Sequence, residues 1–380
     1  MTRSLQPTIM VFGIGKLGGA VVDQLSARHP DATFVMISRD RTRSTKRANL
    51  SRYLAAQWGL YPQVFGDQCD LLNTTETADI LDRWKPDVVF NATTPFPWWK
   101  LDHLPAELSK VAARAGSGMW CALDALLPQK LTKAMQTCGH PSVHVNGCYP
   151  DMTNAFLSNE SFAPMLGIGN ISNLVPGLTL AWAEELQARP DSVGIRIVGH
   201  HSVSLFAPSV GCPHAPYELE VSHPEGRLRF SGPDDRPFAV VRARASRVRG
   251  LDGLGVTIGS AVTLLDELLG GPRRLHHSPG ALGLPGGYPV RLDGRGVPSL
   301  ELPSGLTTEA AVDVNARAQA FDGVGAVAGG TVSATAQARE AYRQIVGVEL
   351  PEVVTPELVE PLAKDAVDRL EKQYKLGLRL

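Results

Sequence analysis

The chain lacks most of the features that would set it apart from ordinary globular proteins. It has only five cysteines in 380 residues, Cys69, Cys121, Cys138, Cys148 and Cys212. Their odd number and unpaired spacing argue against a disulfide framework and for reduced thiols. No apolar run approaches the roughly 20 residues a membrane-spanning helix needs. The N-terminus, MTRSLQPT, leads into the first apolar run without the apolar core and cleavage site of a secretory signal, so a cytoplasmic location is the expectation. Net charge is almost nil, 37 Lys and Arg against 38 Asp and Glu, which gives no polyanion-binding surface and makes nucleic acid an unlikely partner on charge grounds. Internal repeats and low-complexity linkers are missing too. What is left, 43% hydrophobic and 20% charged, is a globular composition long enough for two domains.

The most informative stretch runs from Thr8 to Asp40. Ile9-Met10-Val11-Phe12 is a short, β-rich apolar run suited to a strand buried on both faces. Gly13, Gly15 and Gly18 follow as G-x-G-x-x-G, and Leu17, Val21, Val22 and Leu25 then recur at helical spacing. Phe34-Val35-Met36-Ile37 closes a β-α-β unit. In that context the first glycine makes a tight turn, the second lets the backbone approach a pyrophosphate, and the third allows helix and strand to pack closely. Lys16 and Leu17 open the helix whose N-terminal N–H groups would face the phosphates. The unit therefore reads as a dinucleotide site.

The end of the second strand bears on which dinucleotide. NAD sites usually carry an acid there for the ribose hydroxyls, whereas a 2′-phosphate needs small polar and cationic groups. The sequence is Ser38-Arg39-Asp40, then Arg41, Arg43, Lys46 and Arg47. Ser38 can donate to a phosphate and Arg39 can stack on adenine or pair with the phosphate, so NADP(H) is favoured, with Arg43 as a further contact. The alternative keeps Asp40 as the ribose acid and the arginines as a solvated helix face.

Downstream, a helix-like segment ends near Trp58, a third strand leads to Asp70 and Leu71 beside the expected adenine, and Glu76 to Lys85 reads as a helix. Pro86 to Phe90 gives a fourth strand, with Asn91, Ala92 and Thr93 at its exit, where ligands bind in open α/β sheets. Trp98 and Trp99 then form either packing anchors or a wall over nicotinamide and substrate. Residues 105–116 read as a helix, Met119 to Asp124 as a short strand, Pro128 to Cys138 as a helix and His144 to Asn146 as a last strand. The expected fold is α/β. A Rossmann doubly wound parallel sheet occupies residues 1–148, an α+β domain with antiparallel strands residues 149–350, and a C-terminal helix residues 351–380. In the second domain, Tyr217 to Val221 and Arg227 to Phe230 read as a hairpin, Phe238 to Val248 as another alternating strand, Val256 to Leu269 as a helix, and Thr307 as the cap of a helix to Phe321. His276 and His277 fall in a polar stretch expected at the surface. Thr355 and Pro356 open the last helix, with Leu358, Leu362, Val367, Leu370 and Tyr374 on one stripe for core packing or for docking on a second subunit, and a homodimer is expected.

Candidate chemistry lies in residues 146–206. A histidine at a strand end beside the cofactor can give or take the proton that accompanies hydride transfer. His201 is the first candidate and His200 the second, because adjacent strand residues point to opposite faces. Asp151, Asn154 and Asn170 sit in broken loops near the same edge, with Asp151 the further catalytic candidate. Cys212-Pro213-His214 shows no recognised zinc spacing, and no metal is expected.

These residues carry a resemblance. The first 150 residues look like the NADP-binding domain of saccharopine- and opine-dehydrogenase-like oxidoreductases. Residues 146–206 are similar in layout to lactate and malate dehydrogenases: Tyr149-Pro150-Asp151 after a strand, Gly167-Ile168-Gly169-Asn170, a helix from about Asn173 to Gln187, and Val193 to Val198 followed by Gly199-His200-His201. By that layout His201 falls on the proton-relay histidine. The resemblance departs at Leu174 to Thr179, which lacks the Asp that orients the histidine and the Arg that binds a substrate carboxylate. Arg196, Arg242 and Arg244 remain as possible replacements for that Arg. The resemblance implies an NADP(H)-dependent oxidoreductase acting on a C=N or C=O bond of a small, amino-acid-derived substrate. A transferase or lyase that recycles its bound nucleotide, and a dinucleotide sensor, are the alternatives.

Overall fold

The computed structural model describes residues 6–207, 215–378 and 380. Strand and helix alternate first: β1 (Thr8–Phe12), α1 (Lys16–Arg28), β2 (Thr33–Ser38), α2 (Arg41–Ala56), β3 (Gln63–Gln68), α3 (Thr74–Trp84), β4 (Val88–Asn91), α4 (Ala106–Ala115), α5 (Cys121–Cys138), β5 (Val143–Asn146), α6 (Pro150–Phe156) and β6 (Leu166–Gly167). The six strands are parallel in the order β3-β2-β1-β4-β5-β6. The order reverses between β1 and β4, the crevice in which doubly wound sheets bind ligands. Both faces are covered, as the unbroken apolar runs require. Ile9, Val11, Phe34 and Phe90 face Val21, Val22 and Leu25 of α1, while Met10, Phe12, Val35 and Val89 face Ile80, Leu81, Leu131 and Met135.

The next elements are α7 (Val175–Glu185), β7 (Gly194–Gly199), α8 (His201–Phe206), β8 (Tyr217–His223), β9 (Gly226–Ser231), α9 (Arg236–Arg244), α10 (Gly255–Leu268), β10 (His276–Pro279), β11 (Gly287–Leu292), β12 (Pro298–Leu300) and α11 (Thr308–Ala318). Here the sheet is antiparallel, β10-β11-β7-β8-β9, with β12 on β11. Helix α10 leaves this sheet and packs Leu264, Leu265 and Leu268 into the core under the first one. The chain ends with β13 (Val324–Ala328), β14 (Thr331–Ala334), α12 (Ala336–Val346), β15 (Val353–Val354) and α13 (Pro356–Tyr374). These pack on α4 and α5 around Trp120, Leu123, Leu126, Tyr342, Val359 and Leu370.

Several local readings are corrected. Met119 to Asp124 is not a strand: a 3-10 turn, Ser117–Trp120, runs into α5, and Pro128 lies inside that helix. Burial of Leu123, Leu126, Leu131 and Met135 outweighs one interior proline. Phe238 to Val248 is not a strand either. Pro237 in the first turn of α9 starts a helix that buries Phe238 and Val241, three residues apart. His276 and His277 are buried in β10, His276 Nε2 against Glu267 Oε2 at 2.7 Å and His277 Nε2 accepting from Ile197 N at 3.2 Å. Two polar residues read as surface because their partners lie elsewhere in the chain. A sixth strand, β6, follows β5; two residues are too few to show a period. On α13 the buried seam is Val359, Ala363, Ala366, Val367 and Leu370, and Leu358 is exposed.

Candidate functional site

The three glycines after β1 differ as the dinucleotide reading requires. Gly13 has φ +92°, and a Cβ there would lie 2.7 Å from the Ala92 carbonyl oxygen. A Cβ at Gly18 would lie 2.0 Å from the Gly13 carbonyl oxygen, so α1 meets the turn backbone to backbone. At Gly15 a Cβ would meet nothing within 4 Å; space is left open where a phosphate would approach. Lys16 is exposed and Leu17 half-buried at the start of α1. This open cradle at a helix N-terminus fits a dinucleotide pyrophosphate.

At the end of β2, Ser38 Oγ bonds Ser44 Oγ at 2.7 Å and donates to the Asp40 carbonyl at 2.9 Å. The Asp40 carboxylate accepts from Arg43 N at 3.0 Å and caps α2. Arg41 pairs with Asp67 and Arg47 with Asp23, while Arg39 and Arg43 are exposed. Asp70 accepts from Leu72 N at 3.0 Å, and Leu71 is buried in the core beside Phe12 and Ile37. Asn91 Nδ2 donates to Asn146 Oδ1 at 3.0 Å and Asn91 Oδ1 accepts from Thr93 N at 3.1 Å. Ala92 continues β4 with its N–H on the Phe12 carbonyl at 2.8 Å. Trp98 and Trp99 stand edge to face, ring centres 5.7 Å apart, with Trp98 exposed.

The chemical groups gather at the carboxyl ends of β4 and β5. Asn146 Nδ2 donates to Asn154 Oδ1 at 2.9 Å, which ties α6 to the sheet. The Cys148 thiol donates to Asp124 Oδ1 across 3.7 Å. Tyr149 follows with φ 39°, a left-handed conformation that is costly for a bulky residue. That turn brings its hydroxyl 2.5 Å from Asp322 Oδ2, to which it donates, and its ring edge-on to His201 at 5.4 Å. His201, at the start of α8, holds Nδ1 2.7 Å from the same Oδ2. Asp322 is fully buried, and its Oδ1 accepts from Ser117 N at 3.0 Å.

Electrostatics follow from this pairing. Burial alone would lower the His201 pKa, but the Asp322 charge and hydrogen bond, with Asp151 and Asp124 adding, hold it above the ordinary histidine value. Burial would raise Asp322; His201, His200 and the Tyr149 hydroxyl hold it below the usual carboxylate range. Burial pushes Asp124 up to about 7, against the Cys148 hydrogen bond and the His201 charge, with Asp322 adding repulsion. His200 is buried, which lowers its pKa against the pull of Asp151 and Asp322. Its Nδ1 accepts from Ser202 N at 3.5 Å, so the proton sits on Nε2, which has no partner. Asp151 is fully buried; Oδ2 accepts from Asn170 Nδ2, and Oδ1 has no partner.

The sequence candidates His201, His200 and Asp151 are thus brought together. Sequence reasoning missed Asp322, Tyr149 as a hydrogen-bond donor, and Asp124. The acid beside His201 comes not from α7 but from the 3-10 turn Gln319–Asp322 that follows α11; the Asp322-Gly323 pair reads locally as a turn. Arg196 pairs with Glu220 and Glu301, Arg242 with Asp235, and Arg244 with Glu184 and Glu185. Cys212 and His214 lie outside the described residues, and among the described ones no three His, Cys, Asp or Glu side chains are placed to hold a metal. No helix among them is long and apolar enough to cross a membrane.

No sequence-family profile and no curated protein matches the chain. Solved structures do. The chain is similar to malate dehydrogenase from Plasmodium falciparum, at 12% identity over 96% of this chain and 100% of that one, TM-score 0.55. Lactate dehydrogenase from Eimeria maxima, solved with NADH and oxamate, matches at 13% identity over 83% and 92%, TM-score 0.54. Malate dehydrogenase from Cryptosporidium parvum matches at 11% over 84% and 97%, TM-score 0.54. The fold is that of the lactate and malate dehydrogenases, a six-stranded parallel Rossmann sheet joined to a second domain with antiparallel strands.

Proposed function

We propose that the chain is an NADP(H)-dependent oxidoreductase that reduces or oxidises a C=O or C=N bond of a small, amino-acid-derived metabolite. The observation that carries this reading is the buried Asp322–His201 pair at the carboxyl edge of a sheet whose first turn is an open glycine cradle. When bound, a nicotinamide dinucleotide supplies or accepts the hydride. His201 does the complementary work. With Nδ1 committed to Asp322, its Nε2 proton is the one available to the substrate, moving onto oxygen or nitrogen during reduction and returning during oxidation. Asp322 stays ionised, fixes the ring and stabilises the imidazolium, and Tyr149 and Ser117 hold Asp322 in place.

NADP(H) is favoured over NAD(H) because the end of β2 carries a small hydroxyl, Ser38, and two exposed cations, Arg39 and Arg43, the residue types a 2′-phosphate needs. The resemblance to saccharopine and opine dehydrogenases supports an imine as the reducible bond. A cytoplasmic location and a homodimer belong to the same reading. The test is a fluorescence titration with NADPH and NADH on wild type and Arg39→Ala. NADPH is expected to bind more tightly and to lose about tenfold on losing the phosphate contact, with NADH little affected. NADH preference, or binding of neither, refutes the assignment.

A further inference from the structure

Resting on the oxidoreductase reading above, we propose that this site selects a substrate carrying a protonated amine beside the reacting carbon, with Asp151 as the group that receives it. Three carboxylates, Asp124, Asp151 and Asp322, act on His201. Among the described residues no lysine or arginine forms an ion pair with any of them. The three arginines that might have bound a substrate carboxylate are each held by acids elsewhere. The cation at this site is the His201 imidazolium, and it is already paired with Asp322.

The three acids are not equivalent. Asp322 is satisfied by three donors, from Ser117, Tyr149 and His201. Asp124 is held by the Cys148 thiol. Asp151 alone keeps a buried oxygen, Oδ1, with no donor, and its other oxygen receives only the neutral amide of Asn170. Nearby His200 also keeps a buried, unpartnered Nε2. A buried carboxylate oxygen without a donor is costly, and a charged N–H donor relieves that cost more than a neutral one. An ammonium group on the substrate supplies it. Asp151 lies in the first turn of α6, not in the loop its sequence suggests, two residues after Tyr149, whose hydroxyl and ring meet Asp322 and His201.

The inference is tested with three ketones that differ in one substituent: aminoacetone, hydroxyacetone and pyruvate. Each is titrated calorimetrically into the NADPH-saturated protein. Aminoacetone is expected to bind about tenfold tighter than hydroxyacetone, with pyruvate weakest. In Asp151→Asn, checked for cooperative melting and unchanged NADPH binding, the advantage of aminoacetone should shrink to about twofold. Pyruvate binding tightest, or aminoacetone binding no better than hydroxyacetone, overturns the inference even if the variant fails to fold. Failure to bind NADPH overturns the oxidoreductase reading first, and the inference with it.

Discussion

Replacing Asp322 by Asn tests the proton relay proposed above. In the wild type one oxygen, Oδ2, receives both the Tyr149 hydroxyl and His201 Nδ1. An amide offers a weaker neutral acceptor or, flipped, a donor facing two donors. His201 then loses a charge-assisted hydrogen bond worth about 1.5–3 kcal/mol, which lowers its pKa by roughly one to two units. Burial acts against the imidazolium in both proteins, with only Asp151 and Asp124 left to oppose it. The assay is an NMR titration of 13C-labelled histidines, which needs no substrate; any reductive pH profile should move down with it. The stability sign is explicit. The pair's contribution is complete between roughly pH 4 and 6.5, above the unfolded carboxyl value and below the unfolded histidine value. It is lost as pH rises through the raised His201 pKa, and lost as pH falls through the lowered Asp322 pKa. The difference in melting temperature between wild type and variant should therefore be largest in that window and narrow on both sides. A cooperatively melting Asp322→Asn whose His201 titrates at or above the wild-type pH refutes the reasoning.

Gly18→Ala forces a Cβ to within 2.0 Å of the Gly13 carbonyl. It should lower stability by about 1–3 kcal/mol and weaken NADPH binding, whereas Gly15→Ala should melt like wild type and still lose affinity; equal behaviour of the two, by calorimetry and titration, contradicts the division of roles. Asp40→Ala removes the cap of α2 and should cost about 0.5–2 kcal/mol while leaving the NADPH-to-NADH ratio unchanged. A selective loss of NADH affinity would return the ribose contact to Asp40.

The β-α-β unit was legible because everything that defines it lies within about thirty residues: a buried run, three glycines with separate steric reasons, an amphipathic helix and a second run. His200 and His201 stand out because they follow a clear strand, although the structure makes His200 the cap and His201 the first residue of α8 rather than strand residues on opposite faces. Asp322 does not stand out. It lies 121 residues from His201, in the 3-10 turn Gln319–Asp322 after α11, where nothing in the local sequence points to a histidine. The one clue was negative, a helix α7 with no acid to orient the histidine. Phe238 to Val248 failed for another reason. The alternating pattern suggests a strand, but Pro237 in the first turn and the burial of Phe238 and Val241, with Phe238 packed on Tyr217 at 5.0 Å between ring centres, favour the helix. In α5, neighbours on α3 and α13 decide what a proline would locally forbid.

Asp322 and Gly323 pass so close to Gly116 and Gly118 that a Cβ at either of the latter would come within 2.3 Å of backbone. Those contacts seat the C-terminal segment against the link between α4 and α5 and bring the acid to its histidine. The glycine turn at Gly13–Gly18 is built within one β-α-β unit, whereas the acid beside His201 arrives from the other end of the chain. On the reading proposed above, the two parts of the site therefore rest on separate contacts: a side chain forced in at Gly116 or Gly118 would displace Asp322 from His201 without touching the glycine turn.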